Sequence, residues 1–161
     1  MRKDRVSIAR IMKYVVALAV IGFIVLLMLY ASGSRKPFEE VEKAVSASLD
    51  KESLTEQDDS RLRRNFGLNP ADYAGVMYYS SESNISAEEV LLIKVNREDQ
   101  IETVTEAIEE RIESRMNDFE GYAPGEVRIL EDSVQSVRGA YIFFAAAPEA
   151  GDYLSVFNSS L

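Results

Sequence analysis

The chain has 161 residues, with 27 acids against 18 bases for a net charge of −9, and it contains neither histidine nor cysteine. Ser-His-Asp and Cys-His nucleophilic sites, zinc sites with nitrogen or sulfur ligands, a disulfide framework and a lipid-carrying cysteine are thereby excluded. The length fits one domain plus a tail.

The tail comes first. Residues 1–13 carry Arg2, Lys3, Arg5, Arg10 and Lys13 against the single acid Asp4, and Tyr14 to Ala31 then run eighteen residues without a charge. As a helix this run is about 27 Å long, close to the hydrocarbon thickness of a bilayer. Eleven of its residues are Val, Ile, Leu or Phe, a composition that favours insertion by about 3–7 kcal/mol in sum. The prediction is a transmembrane anchor over 14–31 with a cytoplasmic basic tail over 1–13, because basic residues are retained on the cytoplasmic side. A signal peptide cleaved after Ala31-Ser32-Gly33 is the alternative, although its apolar core is normally shorter.

Residues 32–37 form a linker that reaches about 20 Å at most, so the domain over 38–161 is expected outside the cytoplasmic membrane but close to it. Removing residues 1–33 leaves 13 bases and 26 acids, a net charge of −13. Such a domain is repelled by nucleic acid and anionic lipid, so neither is expected as a partner.

Phe38, Val41, Val45 and Leu49 recur at helical spacing and predict a helix over 38–49. Residues 50–60 are polar and are read as a solvated loop. Ser60 is expected to cap a short helix through Arg64, closed by Gly67, and Asn69-Pro70 to start one further turn. GVMYYS at 75–80 and EVLLIKV at 89–95 read as the strands of a hairpin. Asn96 is the expected cap of a long helix whose face is Ile101, Val104, Ile108, Ile112, Met116 and Phe119. Its opposite face carries Glu102, Glu106, Glu109, Glu110 and Glu113 and is expected to be solvated.

FEGYAPGE at 119–126 follows. Gly121 suits a left-handed helix end and Pro124 the first turn of a new helix, so the stretch reads as a connector with Tyr122 packed on the core. The functional alternative is an interaction cluster of Asp118, Glu120, Tyr122, Pro124 and Glu126. Residues 134–138 and 140–147 predict a second hairpin, and Pro148 a last helix carrying Tyr153, Leu154, Phe157 and Leu161 on one face. The expected fold is α+β: a four-stranded antiparallel sheet from two hairpins, covered on one side by helices.

GLNPADYAGVMYYSS at 67–81, SAEEVLLIKV at 86–95, FEGYAPGEVRILED at 119–132 and RGAYIFFAAA at 138–147, in that order, resemble the DUF4358 family over about residues 60–148. The resemblance implies a bacterial, largely Gram-positive, membrane- or lipid-anchored extracytoplasmic protein, of a family whose members can occur beside membrane O-acyltransferase systems. It carries no catalytic residues over. Without a cysteine, the anchor of this chain would be the helix itself.

No GxxxxGK[ST], GxGxxG or calcium-loop pattern occurs, and no cofactor or metal is expected. The function expected is that of a non-catalytic accessory or interaction module of the cell envelope, binding another envelope protein through its acidic helix face or sheet edge. Two alternatives stand beside it: a small envelope ligand or divalent cation at the 118–126 connector, and a carboxylate-dependent glycan enzyme using Glu120 and Glu126. An open polar sheet face carrying Tyr78 or Tyr79 would favour a ligand, and a filled domain with exposed apolar residues would favour a protein partner.

Overall fold

A computed structural model describes residues 12–24 and 36–161. The chain divides into two compact units, Met1–Gly33 and Ser34–Leu161. In the first, residues 12–24 form a helix, α1. Its nine large apolar side chains, from Met12 to Ile24, are all between 46% and 69% exposed. Among the described residues no helix is long and apolar enough to cross a membrane. The predicted span 14–31 begins within α1, and its residues 25–31 lie outside the described residues, as do residues 1–11 of the tail and 32–35 of the linker.

The second unit runs α2 (Phe38–Ser48), β1 (Thr55–Glu56), α3 (Asp59–Phe66), a 3₁₀ turn (Pro70–Asp72), β2 (Gly75–Ser80), β3 (Glu89–Lys94), α4 (Gln100–Phe119), α5 (Pro124–Glu131), β4 (Val134–Arg138), β5 (Tyr141–Ala146) and α6 (Ala150–Ser160). The strands form one sheet in the order β1-β2-β3-β5-β4, with every neighbouring pair antiparallel. The α+β class is as expected, and both hairpins form. The sheet nevertheless has a fifth strand. Thr55 and Glu56, within the stretch read as loop, pair with Ser80 and Tyr79, because Leu54 beside them is drawn into the core and leads the chain along the sheet edge. Two exposed residues carry no alternation that a sequence pattern could register.

Helices cover both faces of the sheet. Met77, Tyr79, Val90, Leu92, Tyr141, Phe143 and Ala145 pack against Phe38, Val41 and Val45 of α2 and Tyr153 and Phe157 of α6. The alternate positions Tyr78, Leu91, Ile93, Ile142, Phe144 and Ala146 pack against Leu62 and Phe66 of α3, Val104, Ile108 and Phe119 of α4, and Leu130 of α5. This corrects the expectation of a one-sided cover. The central strands β3 and β5 are apolar at nearly every position because neither face meets water.

The helix ends follow local chemistry, with three departures from the expected starts. The Asp58 carboxylate, not Ser60, caps α3 by accepting the Arg61 N–H at 2.8 Å. Gly67 closes α3 at φ +68°, in the left-handed region that a Cβ disfavours. Asn96 does not cap α4, which begins at Gln100. The Asn96 side chain instead donates to the Asp72 carbonyl at 2.9 Å, while Gln100 Oε1 accepts the N–H groups of Asn96 and Arg97. The last helix starts at Ala150, two residues after Pro148.

Candidate functional site

The 118–126 connector has the expected backbone. Gly121 sits at φ +86° after α4, and Pro124 occupies the first turn of α5. Its side chains do not converge. Tyr122 is 63% exposed and meets only the edge of the core through the Phe119 ring at 6.0 Å, contrary to the anchoring role expected of it. A turn this tight directs the residue after the glycine outward. Asp118 accepts from Arg115 Nη1 at 3.3 Å, and Glu126 accepts the Ala87 backbone N–H at 2.7 Å. Glu120 and Pro124 are exposed. Glu126 thus braces the β2–β3 loop, and neither concave feature described below is lined by more than one of the five residues. Among the described residues no group of three or more His, Cys, Asp or Glu could hold a metal ion.

Two concave features stand out among the described residues. The first is a groove of about 540 Å³ between α4 and α5. Ile112 and Met116 from α4 and Val127 from α5 give it an apolar floor, and Glu109, Glu113, Glu120 and Glu131 rim it with carboxylates. The sequence reading placed Ile112 and Met116 on the core face. Both pack only partly against the core and remain half-buried, because α5 meets α4 near its C-terminal end and leaves the groove between them.

The second is a cleft of about 420 Å³ at the end of the sheet where β2 leaves and β3 enters. Helix α3 contributes Arg61, Arg64 and Asn65, and α4 contributes Arg111 and Arg115. The β2–β3 loop adds Ser81, Ser83, Asn84 and Ser86. Four of the 13 bases beyond residue 33 therefore gather in one place on an acidic domain. The helical period brings them together, with spacings of three residues on α3 and four on α4.

A buried network forms the cleft floor. Arg111 donates from Nε to Glu89 Oε1 at 3.0 Å and from Nη2 to Oε2 at 3.2 Å. The Tyr78 hydroxyl donates to Glu89 Oε2 at 2.9 Å and accepts from Asn65 Nδ2 at 2.7 Å. Burial, reinforced by the Glu89 charge, pushes the Tyr78 hydroxyl far above its ordinary range, so it stays protonated as a donor. Glu88 also lines the cleft, its carboxyl raised first by burial and then by Glu149, Glu126 and Asp50. Among the described residues, no buried side-chain nitrogen or oxygen lacks a hydrogen-bond partner.

The sequence reading missed this cleft. Its signal was present as basic pairs at Arg61/Arg64 and Arg111/Arg115, the second set into a helix whose other charges are mostly acidic. The two faces of the sheet are filled, so neither tyrosine offers an open platform: Tyr78 is sealed into the cleft floor and Tyr79 is buried against the α2 side.

No curated protein and no solved structure matches the chain. A family model described as a domain of unknown function, DUF4358, matches residues 47–147. That span takes in the whole sheet, from β1 through β5, together with the arginine cleft and the α4–α5 groove. With well over half of its length matched, from the edge strand before α3 to the end of β5, the chain belongs to the DUF4358 family.

Proposed function

We propose that the chain is a membrane-anchored, extracytoplasmic accessory module of the bacterial cell envelope that docks a partner protein and does not catalyse. The observation that carries this reading is the α4–α5 groove. Its apolar floor of Ile112, Met116 and Val127 under four carboxylates suits a partner segment with apolar anchors and basic flanks, by charge complementarity. The anchor is supported by the exposed large apolar side chains of α1 and by the uncharged run 14–31 that contains most of it. Outside the cytoplasm, a short linker would hold the groove near other membrane proteins.

The test is site-specific photocrosslinking in living cells with a photoreactive residue at Asn117, which lines the groove. The expected result is one crosslinked protein whose captured peptide carries paired Lys or Arg beside apolar residues, with capture lost in Met116→Asp and in the double variant Glu113→Lys/Glu120→Lys. No crosslink, or a captured segment that is acidic and insensitive to both variants, overturns the reading.

A further inference from the structure

The arginine cleft shares no lining residue with the α4–α5 groove. Arg111 and Arg115 are each partly neutralised, the first by Glu89 at 3.0 Å and the second by Asp118 at 3.3 Å. Arg61 and Arg64 are not. The Arg61 guanidinium uses only its Nε, which donates to the neutral Gln57 side chain at 3.1 Å, and the Arg64 side chain makes no hydrogen bond or ion pair among the described residues. Two guanidinium charges therefore face the cleft against one carboxylate, Glu88.

The neighbouring hydroxyls are set to donate. Ser81 Oγ accepts the Ser83 N–H and Ser86 Oγ accepts the Glu88 N–H, each at 3.2 Å. A hydroxyl oxygen that already accepts from the backbone keeps its own hydrogen for a ligand. Arg115 fixes the same loop by donating from Nη2 to the Ser86 carbonyl at 2.8 Å, and Glu126 fixes it from the other side through Ala87. The loop wall of the cleft is thus preformed, held by bonds from Arg115 and Glu126 behind it.

We propose that this cleft binds a small phosphate ester with a hydroxylated body, of the polyol- or sugar-phosphate class, its phosphate held by Arg61 and Arg64 and its hydroxyls by Ser81, Ser86 and Asn65. Arginine's planar fork matches phosphate oxygens in pairs. About 420 Å³ exceeds what a bare phosphate fills and falls in the range of small-molecule sites. Past the arginines and the two glutamates the lining is serine and asparagine with one alanine, Ala87, which calls for hydroxyls and not an apolar tail. The net charge of −13 beyond residue 33 repels long polyanions and leaves the local guanidinium contacts to select a small anion.

The full-length chain in non-ionic detergent micelles is titrated by calorimetry with glycerol 3-phosphate, with inorganic phosphate and glycerol as controls. Saturable binding of glycerol 3-phosphate, at least about tenfold tighter than inorganic phosphate and absent for glycerol, is expected. Arg64→Ala and Arg61→Ala each weaken it about tenfold or more, since each removes a charged phosphate contact. Glu88→Gln strengthens it a few-fold. Both arginines lie on the surface helix α3 outside the Glu89 network, and an unchanged melting curve separates lost contact from lost fold. Repeating the titration in nanodiscs with and without phosphatidylglycerol distinguishes sources: competition by the lipid assigns the site to a phospholipid headgroup, and its absence to a soluble ester. No saturable binding of any phosphate probe to about 10 mM, equal affinity for inorganic phosphate and the ester, or wild-type affinity in the Arg61→Ala/Arg64→Ala double variant overturns the proposal. Failure of the groove crosslink leaves this result untouched, because the two sites share no lining residue.

Discussion

Replacing Glu89 by Gln removes one charge from the buried network and changes little else. Glu89 is 2% exposed and Arg111 17%, and the pair is joined through both carboxylate oxygens. Glutamine keeps the side-chain volume and an oxygen that accepts from Tyr78 or Arg111, so the loss is chiefly electrostatic. At an effective dielectric of 20 a charge pair about 4 Å apart interacts by about 4 kcal/mol. Breaking a buried pair from one side typically costs about 3–5 kcal/mol, and the partial exposure of Arg111 lets water solvate the stranded guanidinium, so we expect about 2–3 kcal/mol for Glu89→Gln. Arg111→Gln strands the more deeply buried charge and should cost more, about 3–5 kcal/mol. The double variant leaves no charge unpaired and should lose less than the sum of the singles by at least about 1.5 kcal/mol. Thermal unfolding of the full chain in micelles, followed by near-ultraviolet dichroism of the tyrosines, supplies the three values. Additivity within about 0.5 kcal/mol, or Glu89→Gln costing more than Arg111→Gln, would refute the argument, because either result means that the network is not coupled or that burial does not rank its members.

Three further outcomes follow from the packing and the titrating groups. A Cβ at Gly75 would overlap the Phe38 ring, so Gly75→Ala should cost about 1–3 kcal/mol as overpacking, and Phe38→Leu in the same chain should recover part of it; the melting temperatures of the pair check this. Tyr122→Ala should shift stability by less than about 0.5 kcal/mol, since its ring lies on the surface, and a larger loss in the same melt would restore the anchoring role. The pH profile comes from Glu42 and Glu88, both held above 4.5: burial comes first in each case, then Glu56 and Glu39 for Glu42, and Glu149, Glu126 and Asp50 for Glu88. A raised folded-state value means that the folded chain binds more protons, so their contribution is full below about pH 4.5 and is lost as pH rises through the raised values. Asp50 works the other way: the Glu52 N–H and the Ser53 hydroxyl lower its value, and that contribution is lost as pH falls below about 3.8. The melting temperature should therefore be higher near pH 5 than near pH 7.5 and fall again in stronger acid; a flat or rising profile from 5 to 7.5 contradicts it.

Much of the fold was legible because local chemistry and periodicity agree. Gly75–Ser80 and Glu89–Lys94 appear where apolar runs bounded by turn residues put them, and Gly67, Gly121 and Pro124 mark helix ends as their backbone preferences dictate. What escaped depended on contacts distant in sequence. Thr55 and Glu56 are a strand only because Ser80 and Tyr79 lie beside them. The three-layer arrangement was written in EVLLIK and YIFFAA, whose unbroken apolar runs require cover on both faces, but a hairpin pattern alone does not say where the helices go. The compact FEGYAPGE stretch drew attention by density of chemistry, and its side chains point apart. The arginine cleft is assembled from α3, α4 and the β2–β3 loop, so no single stretch of sequence displays it.

The proposed function requires a folded domain held outside the cytoplasmic membrane by the uncharged run 14–31, which contains most of α1. Because the chain has no cysteine, two single-cysteine variants test this without background: Ser7→Cys ahead of the apolar run, and Ser155→Cys on the exposed side of α6. Intact cells are treated with a membrane-impermeant maleimide before and after permeabilisation. The account predicts that position 155 is labelled in intact cells, position 7 only after permeabilisation, and that both variants stay in the membrane fraction after an alkaline wash. Labelling of position 7 with protection of 155, or release of the full-length chain by that wash, would contradict it.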